Sequence, residues 1–241
     1  MSNAIGPSAV HVPRLSGEVV GVCAGGVASI PQGARTIRTA FIKTSISGPV
    51  EVGPLGIPTD EHVYEDHGGP DMALLVYSRD HYSHWRSLGL DLPNVGALGE
   101  NLTVAGLVET DVHLGDVFEV GTATVQVSQP RSPCYKLAVR FGRRDMPVLV
   151  QNTGYTGYLL RVLQPGMVSA GDTMRLVRRD EHGVSVSFAS RAVNVDRNDH
   201  DAAQRILDVD GLGESVRRVL QQRIDAREQL GLDRARLFGD E

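Results

Sequence analysis

The feature that most restricts the fold is a long series of short β-like segments, each ended by a turn that contains glycine or proline. Segments of this length with alternating and β-branched residues are typical of strands. Many short strands in close succession indicate a β-barrel or a β-sandwich. The pair Gly121-Thr122 predicts a hairpin inside the longest segment. We predict strands at 17–23, 35–42, 74–77, 101–104, 117–127, 158–163 and 172–177, with the last two around a turn at 164–166.

Two short helices are predicted among these strands. Ser78 or Asp80 can cap a helix over residues 79–88. Its larger apolar side chains recur every three residues, so they should share the face that packs on the core. A second helix is expected over residues 144–151, with Asp145 as its cap. The residues expected on the shared face of the first helix are Tyr82, Trp85 and Leu88.

Helical periodicity becomes the dominant pattern after a change of composition near residues 178–183. Residues 199–207 and 213–230 have the apolar spacing of amphipathic helices. Residues 184–188 are ambiguous, because they alternate like a strand while Ser185 could instead cap a helix. The apolar stripe expected on the last helix consists of Val216, Val219, Leu220 and Ile224.

Composition excludes several classes of partner. Lys plus Arg number 24 and Asp plus Glu number 29, which gives a formal net charge of −5. Binding to nucleic acid or to an anionic membrane needs a basic surface, so neither partner is expected. No run approaches the ~20 apolar residues that span a bilayer, and no secretory signal is visible, so we expect a cytoplasmic protein. Its two cysteines, Cys23 and Cys134, form neither a disulfide framework nor a zinc-type CxxC pair.

Cys134 is the residue with the clearest chemical potential. Pro130 and Pro133 precede it, and because proline fixes φ the loop that presents the thiol is stiff. Cations nearby favour the thiolate, which is the form that attacks electrophiles and binds metals. A buried structural cysteine is an equal alternative from this loop alone, because free cysteines are among the most buried residues. The cations in question are Arg131, Lys136 and Arg140.

Three further segments could hold a ligand. The two glycines after His67 let the backbone approach an anion, although a tight turn has the same pattern. Asn101 follows Gly-Glu at the entry to a predicted strand, where it could bind a ligand or simply satisfy a turn. Lys43 and the hydroxyl of Thr44 could hold a phosphate, but the residue order of a P-loop is absent. His67 and Asn101 could also join Cys134 in a cysteine-protease arrangement, for which there is no local signature.

Taken in order, these segments resemble the MOSC domain, a family named for the C-terminal domain of molybdenum cofactor sulfurase. The similarity extends over about residues 17–225 and is most specific around Cys134. Within the family the chain resembles the YiiM-like subgroup, in which the MOSC barrel is followed by a small three-helix domain. The resemblance is carried by Lys43, 48–50, 53–57, Asp60-Glu61, 67–71, 99–102, Gly115-Asp116 and 128–137.

The resemblance implies a mainly β fold with a few short helices. A MOSC-type β-barrel would occupy residues 17–180, and a small C-terminal three-helix domain would occupy residues 184–230. Ser185 would then cap the first of the three helices. The expected tails are residues 1–16 and 231–241, and the second should fray after Leu230.

The resemblance also implies a molybdenum cofactor, Mo-molybdopterin, rather than pyridoxal phosphate. Cys134 would be the metal ligand and the catalytic residue, which agrees with the preference of a soft metal for thiolate. The other residues would contact the pterin and its phosphate. These cofactor-binding positions are Lys43, Thr44, His67, Gly68, Gly69, Asn101, Arg131 and Tyr135.

The activity implied by the resemblance is reduction of N-hydroxylated compounds, such as N-hydroxylated purine bases or amidoximes, by abstraction of the oxygen atom. The chain has no cysteine cluster for an iron–sulfur centre and no GxGxxG fingerprint, so the electrons should come from a separate reductase. The expected partners are that reductase and a small-molecule substrate, and a homodimer is compatible with the sequence. One alternative is a carrier of molybdenum cofactor or sulfur without turnover of its own. Another is a non-catalytic interaction module in which Cys134 is structural.

Overall fold

The computed structural model describes residues 15–32, 35–63, 68–226 and 230–239. Within these ranges, seven strands close into a barrel, which confirms the mainly β prediction. The first and last barrel strands pair with each other, Ser16 opposite Arg175, so the sheet has no free edge along this seam. The barrel strands are β1 (Ser16–Ala24), β6 (Leu74–Ser78), β7 (Leu102–Ala105), β8 (Val117–Val120), β9 (Ala123–Pro130), β10 (Tyr158–Gln164) and β12 (Thr173–Arg178).

The barrel order is β12-β8-β9-β10-β6-β7-β1, and all neighbours are antiparallel except β6 and β7. Alternating burial in β12 places Met174 and Leu176 in the core and Arg175 outside. The predicted hairpin joins β8 to β9 at Gly121, whose φ is +56°. A Cβ on Gly121 would lie 2.1 Å from the carbonyl oxygen of Met167, so this turn requires glycine.

Short strands outside the barrel form two small ribbons and one edge pair. β2 (Ala28–Gln32) pairs with β3 (Arg35–Thr39), so the strand predicted at 35–42 ends three residues early. β4 (Thr44–Ser45) pairs with the end of β1. β5 (Val50–Val52) pairs with β11 (Gly166–Val168), a strand that was not predicted and that begins at the last residue of the predicted turn.

The two helices predicted among the strands are present. A 3-10 turn at Arg79–His81 leads into α1 (Tyr82–Ser87), and the Ser78 hydroxyl accepts a hydrogen bond from the Asp80 backbone N–H. Tyr82 and Trp85 are fully buried, as predicted, but Leu88 is 40% exposed, so its assignment to the buried face was wrong. Leu88 follows the last helical residue, where the backbone leaves the helical spiral. α3 (Met146–Thr153) confirms the helix predicted at 144–151, and Asp145 is its N-cap residue but makes no capping hydrogen bond through its side chain. A third helix, α2 (Lys136–Phe141), was not predicted.

Three helices follow the barrel and pack against it. Ser185 caps the first, with its hydroxyl accepting a hydrogen bond from Phe188 N at 3.1 Å, which resolves the ambiguous segment as helical. Their buried residues, among them Ala189, Ile206 and Leu220, join the same apolar cluster as the barrel interior. Val219 is 41% exposed, so its assignment to the core stripe was wrong. The helices are α4 (Val186–Asn194), α5 (His200–Leu207) and α6 (Glu214–Ala226).

The C-terminal segment forms a further helix, α7 (Arg234–Phe238), so the prediction of a frayed tail after Leu230 was wrong. Asp233 caps it by accepting a hydrogen bond from the backbone N–H of Arg236. Leu237 is completely buried and stabilises the segment against the body of the protein. Over the described residues, none of the helices combines the length and the apolar character that crossing a membrane requires.

We predict that Ser185→Ala lowers the free energy of unfolding by about 1 kcal/mol, because the N–H of Phe188 loses its side-chain acceptor. Urea unfolding followed by circular dichroism measures the change. Ser187→Ala is the matched control in the first turn of the same helix and should change stability by less than about 0.5 kcal/mol. Equal losses in the two variants would show that the cap contributes nothing.

Candidate functional site

A cavity of about 430 Å³ lies between the barrel and the helices that follow it. The first residues of β10 pair with the end of β9 on one side and with the first residues of β6 on the other, so three strands bring side chains to this cavity. The C-terminal helices form another part of its wall. The barrel contributes Leu75, Gln129 and Leu159 to the lining, and the helices contribute Val193, Asn194, Ser215, Val216 and Arg223.

Cys134 lies on the wall of this cavity as a free, partly exposed thiol. It follows β9 and immediately precedes the turn into α2, where its carbonyl accepts a hydrogen bond from Leu137 N. Cys23 is also free but fully buried, and burial raises the pKa of its thiol to about 12. The two cysteines therefore differ: Cys134 is available for chemistry and Cys23 is not.

Arg131 lines the same cavity and is only 8% exposed. Its backbone N–H donates to the carbonyl of Gly157, and its guanidinium lies 5.7 Å from the centre of the Phe41 ring. Burial lowers the pKa of this guanidinium. Its Nη1 is buried without a hydrogen-bond partner among the described residues. An unsatisfied buried donor on a cavity wall is a position where an anionic or oxygen-bearing ligand would be stabilised.

Lys43 and Asn101 also reach the cavity wall, but their polar atoms are held by a buried network around Asp60. Both carboxylate oxygens of Asp60 lie 2.5 Å from Lys43 Nζ. Asn101 Nδ2 donates to Asp60 Oδ2 at 2.8 Å, and Asn101 Oδ1 accepts from Leu75 N at 2.9 Å. Burial lowers the pKa of Lys43, although Asp60 acts in the opposite direction. These two residues therefore fix the shape of the wall.

The structure does not bring every predicted residue to the cavity. Thr44 is exposed, and its hydroxyl donates to the carbonyl of Ala24. Gly69 has φ +104° and precedes the 3-10 turn at Pro70–Met72, so it serves a turn. Tyr135 lies beside Gly239, where a Cβ would lie 3.3 Å from its ring. His67 lies outside the described residues. The predicted residues that line the cavity are Lys43, Asn101, Arg131 and Cys134, while Thr44, Gly68, Gly69 and Tyr135 are outside the lining.

The C-terminal helices add cations to the cavity that the sequence did not indicate. Arg223 donates to the carbonyls of Ala192 and Val193 at the end of α4, and its Nε is buried without a partner among the described residues. Burial, followed by repulsion from Arg197, lowers the pKa of Arg223 to about 10. No local pattern indicates these residues, because they are far from Cys134 in sequence. In the described lining the cations Lys43, Arg131, Lys136, Arg223 and Arg236 outnumber the carboxylates Glu61 and Asp233.

Two family models cover this architecture: the MOSC domain over residues 63–175 and the "YiiM-like, 3-alpha helix domain" over residues 184–227. The chain is 39% identical to protein YiiM of Escherichia coli (strain K12) over 208 residues, which are 85% of this chain and 91% of that protein. The chain belongs to the MOSC family. The three helices after its MOSC barrel are the YiiM-like extension.

Two other comparisons extend this assignment. The crystal structure of YiiM from Geobacillus stearothermophilus matches with a TM-score of 0.74 at 33% identity, covering 86% of this chain and 99% of that one. A protein named "Reductase" from Gibberella moniliformis (strain M3125 / FGSC 7600) is 36% identical over 161 residues. Those residues are 65% of this MOSC chain and only 29% of the fungal protein.

We predict that iodoacetamide modifies Cys134 at least about tenfold faster than Cys23 in the folded MOSC protein near pH 8, because only the first thiol is exposed. Peptide mass spectrometry measures both rates. In urea the two rates should converge, which is the internal control. Equal rates in the folded protein would contradict the assignment of Cys134 to an open cavity wall.

We predict that Asp60→Asn destabilises the barrel by about 3–5 kcal/mol, because it leaves the buried ammonium of Lys43 without its counter-charge. Urea unfolding measures the loss. The matched control is Asp145→Asn, which breaks an exposed pair with Arg143 and should have a far smaller effect. Similar losses in both variants would show that the Asp60 network is not a buried structural element.

Proposed function

We propose that this MOSC protein binds a molybdenum–pterin cofactor and reduces N-hydroxylated compounds, such as N-hydroxylated purine bases or amidoximes, to the corresponding amines or amidines. The observation that supports this most directly is the partly exposed thiol of Cys134 on a cavity wall beside the unpartnered Nη1 of Arg131. A soft thiolate is a suitable ligand for the metal of such a cofactor, and an unsatisfied cation is a suitable partner for its anionic group.

The residues of the cavity fit this group. Cys134 can give one sulfur ligand to a metal that is otherwise held by the organic part of the cofactor. The excess of cationic over anionic side chains in the described lining suits a phosphate. The guanidinium of Arg131 is planar and rigid, so it can bind phosphate or pterin oxygens with two parallel hydrogen bonds.

When bound, the cofactor supplies the two-electron chemistry that breaks the N–O bond. The overall reaction consumes the hydroxylated nitrogen compound, two electrons and two protons, and it releases the reduced compound and water. Cys134 would hold the metal, while Phe41, Leu75 and Leu159 are among the apolar side chains of the wall that limit water. Exposed Glu61 and His62, at the same cavity, can pass protons from solvent.

The electrons in this proposal come from a separate reductase, with which the protein associates transiently. The relationship to part of a longer protein named "Reductase" supports a redox role for the MOSC portion. That relationship does not specify the substrate, so the substrate class rests on the family resemblance and on the chemistry of the cavity.

We predict that Cys134→Ser, made in a host that synthesises the cofactor, retains less than about a tenth of the wild-type molybdenum, because a hydroxyl is a poor ligand for a soft metal. Elemental analysis of purified protein measures the content per chain. Cys23→Ser is the matched control and should keep its metal, since Cys23 is buried away from the cavity. Full metal retention in Cys134→Ser would overturn the assignment of Cys134 as ligand.

Turnover distinguishes the reductase from a carrier that shares the same site. With a reduced viologen as electron donor, wild-type protein should convert an N-hydroxylated base over many cycles, whereas Cys134→Ser should stay near background. Metal-loaded wild-type protein that reduces no such substrate would favour the carrier function.

A further inference from the structure

The C-terminal segment 230–239 lies beyond both family matches, which end at residues 175 and 227, yet it contributes to the cavity wall. Asp233 and Arg236 are the lining residues that it supplies. The loop that presents Cys134, residues 131–135, is the cysteine loop. Because the C-terminal segment is about 100 residues from Cys134 in sequence, its contact with this loop depends on the tertiary fold.

Arg236 holds the backbone on both sides of Cys134. Its Nη1 donates to the carbonyl of Pro133 at 2.5 Å, immediately before the cysteine. Its own carbonyl accepts a hydrogen bond from the N–H of Tyr135 at 2.8 Å, immediately after the cysteine. One residue therefore restrains both peptide groups that flank the thiol.

Arg236 is itself fixed from two further directions. Its Nη2 donates to Gln151 Oε1 at 2.7 Å, which ties the guanidinium to α3. Its Nε lies 3.4 Å from a carboxylate oxygen of Asp233 within the same segment. The neighbouring Leu237 is completely buried, so the helix that presents Arg236 cannot shift without losing apolar contact. The guanidinium of Arg236 thus connects α3, α7 and the cysteine loop by hydrogen bonds.

We propose that Arg236 is a positioning residue for Cys134, and that the C-terminal segment orients the cysteine loop toward the cavity. A metal ligand must be held within a few tenths of an ångström, and hydrogen bonds from surrounding residues supply that precision. Two proline residues stiffen the loop locally, but they leave its orientation toward the cavity undetermined. The contacts of Arg236 set that orientation. This inference concerns the loop geometry, so it does not require the proposed substrate to be correct.

Hydrogen–deuterium exchange of the cysteine loop tests this role in the full-length protein. In Arg236→Ala, exchange of the peptide that contains Tyr135 should accelerate by at least about threefold, because the loop loses the guanidinium bond to the Pro133 carbonyl, and the helix that carries the backbone acceptor of Tyr135 N–H loses its link to Gln151. Arg236→Lys should restore part of the protection, since an ammonium can still donate to the carbonyl of Pro133. The matched control is Arg234→Ala on the same helix, where the guanidinium lies over the Phe238 ring and should leave the loop unchanged.

A second readout separates this proposal from the proposed function. If both hold, Arg236→Ala produced in a cofactor-competent host should contain several-fold less molybdenum than wild type. If wild-type protein contains no molybdenum, the proposed function fails while the exchange measurement still decides the role of Arg236. Unchanged exchange of the cysteine loop in Arg236→Ala, with faster exchange confined to residues 230–239, would overturn the proposal and leave Arg236 as an anchor of the tail alone. Should Arg236→Ala fail to fold, Gln151→Ala removes the link to α3 and must give the same direction of change.

Discussion

The pairing of β1 with β12 is the constraint on which the rest of the structure depends. It joins residues 155 to 159 positions apart and closes the sheet into a barrel. Within this barrel the end of β9, which leads to Cys134, pairs with the start of β10, and the first residues of β10 also pair with the start of β6. A closed barrel of this kind can present side chains from distant segments at one cavity.

Buried polar side chains in this protein differ in whether all of their polar atoms have a partner. Lys43 is paired with Asp60 at 2.5 Å, and His81 Nε2 lies 2.6 Å from Glu109 Oε2, and both contacts support the framework. Glu109 also accepts a hydrogen bond from Gly157 N, and Gly157 in turn accepts from the backbone of Arg131. By contrast, guanidinium nitrogens of Arg131 and Arg223 at the cavity lack partners among the described residues. Side chains whose polar atoms have partners therefore stabilise the wall, whereas the unpartnered guanidinium nitrogens can donate hydrogen bonds to a ligand.

The three-helix extension is part of the same folded unit as the barrel. Its apolar residues belong to the barrel's hydrophobic cluster, and Leu114 N donates to the carbonyl of Val184 where the barrel meets the first helix. The extension and the segment after it form one wall of the cavity. In this protein the helices therefore complete the wall of the cavity.

The sequence by itself determined the barrel strands and the candidate cysteine, because these depend on local patterns, whereas the short strands β2, β4, β5 and β11 were not predicted. Gly121 indicated a hairpin since few other residues tolerate its backbone conformation, and the loop at Cys134 stood out through its prolines and cations. Ser185 was undecided locally, because its segment fits both periodicities, and the family resemblance was needed to assign it to a helix.

Only the tertiary structure decided which polar atoms are free. Lys43 and Asn101 line the cavity, but their polar atoms bond to Asp60, a partner from a separate loop whose position only the tertiary fold sets. Arg236 was assigned to a frayed tail, although burial of Leu237 and three hydrogen bonds, to the Pro133 carbonyl, to Gln151 and from Tyr135 N–H, hold it beside Cys134. Hydrogen bonding between residues so distant in the chain depends on how the elements pack, and local sequence patterns contain no information about that packing.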